Sequence, residues 1–376
     1  MPSVRKIAKD MRVSVATVSR ALNNHPEVSA GTRERILKAA NDVGYFGAVG
    51  KRVMTNIGLV YTSDVEFCEY DATLMGGIVR GVGEQRFDVT ILNLERDKGD
   101  DETHTQFFMR KGVRGAIVRT LARSRHICEK IAEEGFPHVV VAERFDNPKV
   151  NYVCYDSRQD SRRAVEHLIS LGHRRIALAV HAIPDSDHAA RIDGYHDAVR
   201  AAGLEIDHEL VLSVLAGMES GRSAINRLMS VPNPPTAIYF TDPLTCVGAL
   251  QRAHQLGLKI PDDLSIVGFD DSNVRFQTWP VLSAVCQDAA QLGFEAALWL
   301  TRKLAGVEDQ QPMRKAMSTF FEVHESTGLP PPRGVRVLPN GQRVDGTSMP
   351  AIAVAAAAAA TTTAYAAKVR GDQTHG

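Results

Sequence analysis

From Ile57 onward, apolar runs of strand length alternate with stretches of helical period, and this alternation limits the fold more than any other feature of the 376 residues. IGLVYT, DVTILNL, GAIVRT and HVVVAE are separated by TLMGGIVRGVGEQ, ETHTQFFMRKG and HICEKIAEEG. After Asp156 the pattern restarts with helix SRRAVEHLISLG, strand RRIALAV, helix AARIDGYHDAVRAAG and strand LVLSVL. Helix ESGRSAINRLMS, strand TAIYFT, helix LTCVGALQRAHQLG and strand LSIVGFD complete it. Strands joined by helices pair in parallel, and a chain of this length outgrows one hydrophobic core. The expectation is an α/β core over residues 57–327, made of two doubly wound lobes whose strand carboxyl ends face a ligand cleft.

Ahead of that core, residues 1–46 read as a separate all-helical module. Ser3, Ser14 and Ser29 each precede a helical stretch (VRKIAKDM, VATVSRALN, AGTRERILKAANDVGY) and can cap it by accepting a backbone N–H. In the first helix Ile7 and Ala8 face inward. The second is expected to bury Val18 and Leu22 and to expose Val15, Ala16, Ser19, Arg20 and Asn23. Formal charge over the whole chain is zero, yet residues 1–52 hold ten lysines and arginines against four acids, an excess of six that suits a polyanion. A short helix presenting small residues and an arginine beside a compact partner has the form that enters a major groove.

These residues resemble the LacI/GalR-type (lactose-repressor) transcription regulators. V-S-V-A-T-V-S-R-A-L-N, V-S-A-G-T-R-E-R-I-L and D-V-G-Y are similar to that family's headpiece. A-V-E-H-L-I-S-L-G-H-R-R-I-A-L, R-I-D-G-Y, P-T-A-I, I-P-D-D-L-S-I-V-G-F-D-D and H-E-S-T resemble its core markers in the same order, so the likeness covers residues 3 to 327. It implies a helix-turn-helix headpiece on a core like that of periplasmic sugar-binding proteins, a homodimer, and a pseudo-palindromic operator in double-stranded DNA. It further implies that Val15, Ala16 and Arg20 read bases, while Thr17, Ser19, Asn23 and Thr32 contact the DNA backbone. One departure concerns the linker, residues 47–56. Relatives carry a longer connection with a hinge helix whose leucine wedges into the minor groove, whereas FGAVGKRVMTN has glycines at 47 and 50 and no such leucine. A short or absent hinge helix is expected, with Lys51 and Arg52 left to grip phosphates.

A sugar-like effector needs carboxylates and a planar guanidinium for paired hydroxyl hydrogen bonds, and an aromatic face for stacking. Tyr70, Arg191, Asp242, Asp270, Phe276 and Trp279 fall at or just beyond strand ends. By resemblance Arg191 matches the family's effector-binding arginine and Asp270 its effector-binding carboxylate, and Asp242 stands where relatives commonly have asparagine. Structural roles remain open for each: a surface arginine, turn caps, core or dimer contacts for the aromatics. Asp156 reads as a helix cap.

Other classes fit less well. Neither a Gly-rich phosphate loop nor a nucleophile elbow is present, and the thirteen histidines lack metal spacing, so no enzyme, cofactor or metal is expected. A solute-binding protein for uptake would share the two-lobed core but predicts an export signal and no helix-turn-helix. The five scattered cysteines, Cys68, Cys128, Cys154, Cys246 and Cys286, read as small core residues in a reducing compartment. The charged start, MPSVRKIAKDM, lacks an apolar h-region, and a cytoplasmic protein is expected. Residues 328–376, with LPPPRG and an alanine tract too weakly apolar to insert in a membrane, read as a disordered tail. A regulator that binds DNA without small-molecule control stays open as the alternative.

Overall fold

The computed structural model describes residues 3–22, 25–43, 55–63, 67–182, 185–307, 311–338 and 341–348. Three helices come first: α1 (Val4–Met11), α2 (Val15–Leu22) and α3 (Ala30–Asp42). Each starts at the serine that the sequence marks. Ser3 Oγ accepts from Lys6 N–H at 3.2 Å, Ser14 Oγ from Thr17 N–H at 2.9 Å and Ser29 Oγ from Thr32 N–H at 3.4 Å. Every such bond satisfies a donor that a helix start leaves orphaned. The core of this headpiece is Ile7, Ala8, Val18, Ala21, Val28, Ile36 and Ala40. Ala21, not Leu22, is thus the second fully buried residue of α2, and Leu22 is half-buried at the rim. The reason is that α2 packs on both α1 and α3, which covers the residue three positions after Val18 more completely than the residue four after.

The α/β core then runs β1 (Asn56–Tyr61), α4 (Glu69–Gly83), β2 (Asp88–Asn93), α5 (Leu94–Asp97), α6 (His104–Lys111), β3 (Gly115–Arg119), α7 (Arg125–Glu133), β4 (His138–Val141) and β5 (Tyr152–Asp156). It continues with α8 (Arg158–Ser170), β6 (Ile176–His181), α9 (Ser186–Ala201), β7 (Val211–Val214), α10 (Met218–Ser230), β8 (Ala237–Phe240), α11 (Pro243–Gln255), β9 (Ser265–Asp270) and β10 (Ser283–Cys286). Last come α12 (Ala289–Ala305), β11 (Arg314–Ser318), β12 (Phe320–Glu322), β13 (Arg333–Val337) and β14 (Arg343–Ser348). Hydrogen bonding sorts β1 to β12 into two six-stranded sheets, ordered β11-β5-β4-β3-β1-β2 and β12-β10-β9-β8-β6-β7. Within the first, β1 pairs in parallel with β2 and β3; within the second, β8 pairs in parallel with β6 and β9. The doubly wound, parallel expectation holds, with β12 antiparallel on β10.

Two compact units result. One holds residues 1–154 and 288–317, the other residues 155–287 and 318–376. In the first, α12 returns late in the chain to lie on α4, and glycines set the closeness of approach. A Cβ on Gly77 would sit 1.7 Å from the Ala290 carbonyl oxygen, and one on Gly293 2.2 Å from that of Leu74.

In the second unit the resemblance motifs prove to be packing devices. Gly194 brings α9 against α8, where a Cβ would meet the Arg158 carbonyl oxygen at 2.4 Å. The Tyr195 hydroxyl donates to the Ile176 carbonyl at 2.8 Å. His173 is 0% exposed and bridges the Thr236 hydroxyl at 2.8 Å, the Ser265 hydroxyl at 3.1 Å and the Gly328 carbonyl at 3.0 Å. Ser326, from H-E-S-T, accepts from Ser283 N–H and donates to the Ile266 carbonyl, stapling the chain's return to β9 and β10.

Two expectations need correction. The stretch read as a disordered tail contains an ordered hairpin, β13–β14, paired antiparallel from Arg333 to Ser348. Val337 is buried in the second unit's core with Val335 beside it, Arg336 Nε donates to the Ser230 carbonyl at 2.9 Å, and Arg343 Nη2 pairs with Asp263 at 2.7 Å. The composition argument missed the local alternation of valine and arginine in RGVRV and the Asn-Gly turn signal at 340–341. Cys68, placed among core cysteines, is exposed, while the other four are buried. Cys68 stands just ahead of α4, at the N-cap, where the chain has not yet entered the packed face.

Candidate nucleic-acid interface and ligand-side residues

The capping that starts α2 also fixes how its first turn faces solvent. The Ser14 and Thr17 hydroxyls hydrogen-bond each other at 2.8 Å, so Thr17 is tied into the cap and only half-exposed. Burial of Val18 and Ala21 turns Val15 (47% exposed), Ala16, Ser19 and Arg20 outward on one rigid surface. Thr32 is placed by the equivalent device at the start of α3, where the Ser29 hydroxyl donates to its Oγ1 at 2.9 Å. Of the residues expected to touch DNA, the structure brings Val15, Ala16, Thr17, Ser19, Arg20 and Thr32 onto α2 and the start of α3. Asn23 lies outside the described residues, as do 44–54, which hold Tyr45, the linker glycines, Lys51 and Arg52. Sequence reasoning missed Glu27, whose carboxylate lies 3.2 Å from Arg20 Nη1.

Small apolar Val15 and Ala16 match thymine methyls, and the forked guanidinium of Arg20 matches the O6 and N7 acceptors of guanine. Hydroxyls at Thr17, Ser19 and Thr32, together with exposed basic residues Arg5, Lys6, Lys9, Arg35 and Lys38, suit phosphate oxygens.

The ligand-side residues divide between the units. Arg191, Asp242, Asp270 and Phe276 belong to the second. All four follow or end strands β6, β8 and β9, at the carboxyl edge of that sheet. Arg191 is 4% exposed and already occupied: Nη2 donates to the Asp187 carboxylate, Nη1 to the Thr241 carbonyl, and the guanidinium lies 3.4 Å from the Phe269 ring centroid. Its Nε has no partner among the described residues. Burial works against the guanidinium's charge, but Asp187, Tyr239 and Asp185 together outweigh it and hold Arg191 above its usual pKa. Asp187 in turn accepts from the Ser157 hydroxyl at 2.8 Å. Asp187 and Ser157 were not singled out from the sequence, although an aspartate four positions before an arginine on a helix is a readable pair.

Asp242 caps α11, its Oδ1 accepting from Thr245 N–H and Oγ1–H, each at 2.7 Å. Asp270, 1% exposed, accepts from Ser272 and Val274 N–H at 3.2 and 3.0 Å and from Arg275 Nη1 at 2.6 Å. Arg275 also binds Glu322 at 2.8 Å and lies 4.3 Å from the Phe276 ring centroid, leaving Phe276 largely exposed. Trp279 is 91% exposed, away from any core. Tyr70 stands apart in the first unit, in the first turn of α4, with the Arg119 guanidinium 5.2 Å from its ring centroid. Asp156 Oδ1 accepts from Arg158 N–H at 3.3 Å, a capping role at the start of α8.

Residues 3–47 match the model of bacterial regulatory proteins, lacI family, and residues 165–327 that of the periplasmic binding protein-like domain. The HTH-type transcriptional regulator DegA of Bacillus subtilis is 31% identical over 303 residues, covering 78% of this chain and 88% of DegA. The chain belongs to the LacI family.

This LacI-family chain is also 31% identical to the HTH-type transcriptional repressor CytR of Escherichia coli, over 81% of its own length and 90% of CytR. Among solved structures, the complex of the transcriptional regulator CelR with cellobiose is 27% identical with a TM-score of 0.62, covering 87% of this chain and all of CelR. The family places the chain among DNA-binding transcription regulators. No helix among the described residues is long and apolar enough to cross a membrane.

Proposed function

We propose that this LacI-family chain is a cytoplasmic repressor that binds a two-fold symmetric operator as a homodimer and is modulated by a small polyhydroxylated ligand, a sugar by preference. Val15, Ala16 and Arg20 read bases, and Thr17, Ser19, Asn23 and Thr32 hold the backbone. The observation that carries the reading is the outward set Val15, Ala16 and Arg20 on a helix whose start is locked by Ser14 and Thr17.

On the ligand side we assign Arg191, Asp242, Asp270, Phe276 and Tyr70. Arg191 offers its Nε, which has no hydrogen-bond partner among the described residues, Asp242 its remaining acceptor capacity, and Phe276 and Tyr70 apolar faces. The four donors around Asp270 assign it chiefly to fixing the turn that carries Phe276. That same saturation favours a second reading, DNA binding without small-molecule control.

Selection of bound sites from random duplex DNA tests the first half: a two-fold symmetric consensus is expected, and its absence would overturn operator reading. Titration of mono- and disaccharides into the complex with that duplex, followed by fluorescence anisotropy, separates the two readings. A change in affinity with one sugar supports effector control, and flat affinity across the panel supports the second.

A further inference from the structure

The turn between α2 and α3 carries an acid that the DNA-reading assignment does not use. Glu27 Oε2 lies 3.2 Å from Arg20 Nη1, both side chains being more than half exposed. The backbone beneath Glu27 is held from several directions. His25 N–H donates to the Arg20 carbonyl at 2.8 Å and Val28 N–H to the His25 carbonyl at 3.2 Å. Arg33 Nη2 reaches across to the carbonyls of His25 and Val28 at 3.0 and 2.8 Å, and Val28 itself is buried in the headpiece core. Glu27 therefore meets Arg20 from a rigid mount, not from a free loop.

Its surroundings make this placement consequential. Thr17, Arg20, Glu27, Val28, Ser29 and Thr32 line an open hollow of about 280 Å³. The hydroxyls of Thr17, Ser29 and Thr32 and the amide end of α3 are suited to phosphate oxygens, whereas a carboxylate in the same hollow opposes them. An arginine left unpaired here would bind any phosphate within reach and add the same attraction to every duplex.

We infer that Glu27 is a positioning and specificity-determining residue for Arg20: it draws the guanidinium off the phosphates and releases it where guanine O6 and N7 replace the carboxylate. Arg20 then contributes little on arbitrary DNA and its full share on the right base. The inference rests on the DNA-reading assignment. Exposed ion pairs shift equilibria by about 1.5- to fivefold, which sets the scale of the effect.

The test uses the full chain, a duplex selected from a random pool, and a scrambled duplex of the same composition, with affinities measured across a salt series. Glu27→Gln is expected to tighten the scrambled duplex about two- to fivefold and to steepen its log–log salt slope by about 0.9, the value of one phosphate contact. The selected duplex should change less than about twofold, and thermal unfolding should not move, since an exposed surface pair adds little stability. In an Arg20→Ala background the same substitution should lose most of its effect. Equal tightening of both duplexes, or an undiminished effect without Arg20, would make Glu27 a simple repulsive charge and overturn the inference. No change on either duplex would overturn it too. A wild-type chain that selects no duplex sinks the DNA-reading assignment and this inference together, whereas a selected duplex with an unmoved ratio sinks only the inference.

Discussion

Acidification should destabilise the second unit through His173. Its imidazole is 0% exposed and bridges Thr236, Ser265 and the Gly328 carbonyl, an arrangement that suits the neutral ring. Burial brings its pKa down from 6.5 to about 4. Between those values the unfolded chain binds a proton that the folded chain refuses, so stability rises with pH across that window. The contribution is complete above pH 6.5 and is lost as pH falls toward 4. At about 1.4 kcal/mol per unit, the 2.5-unit depression makes the loss about 3 kcal/mol, a large part of an ordinary domain's stability. Urea titrations followed by circular dichroism at half-unit steps from pH 7.5 to 4 would read this slope. His173→Gln keeps a donor and an acceptor but cannot titrate; it should be less stable at pH 7 and have a shallower pH dependence by about 3 kcal/mol over the window. Equal pH dependence in variant and wild type would refute the reasoning, because no other group changes between them.

Further outcomes are expected elsewhere. Arg20→Ala should weaken binding to the selected duplex by about 1–3 kcal/mol, read by anisotropy, without altering headpiece folding, since Arg20 is exposed and outside the core; unchanged affinity would remove it from the readout set. Asp187→Ala should destabilise the core by about 3–5 kcal/mol in chemical denaturation, because it leaves the buried Arg191 guanidinium charged and without its carboxylate. Val337→Ala should cost about 2 kcal/mol through two lost methyl groups and the cavity behind them, and a neutral result would show that the hairpin does not contribute to the second unit's core.

The alternation of apolar strands and helices was legible because parallel strands covered on both faces need nearly unbroken apolar runs. The helix starts were legible for a local reason: Ser3, Ser14 and Ser29 act within three residues of themselves. What the pattern does not carry is membership. Nothing in AAQLGFEAALWLTRKLA says that α12 leaves the sheet just built and returns to α4, since that choice is made by glycines more than two hundred residues apart, Gly77 and Gly293. The ligand-side residues were legible as types and positions but not as states. Arg191 and Asp270 stand at strand carboxyl edges as expected, yet their partners, Asp187, Ser157 and Arg275, follow from how loops fold back, which periodicity does not encode. Glu27 escaped notice because a single acid in a basic module reads as solvated surface until its distance to Arg20 is known.

The return of α12 sets an order on biosynthesis. Since the first unit draws on residues 288–317, a nascent chain that has cleared the ribosome only to the end of β5 has made helices α1 to α7 and most of its sheet but not the helix that covers the glycine face of α4. That face must wait, unpacked, while residues 155–287 are synthesised between the two pieces. The second unit is itself completed only by residues 318–376, so each unit waits on chain made late, and a fragment cut at residue 154 should be prone to aggregation however complete its sequence looks.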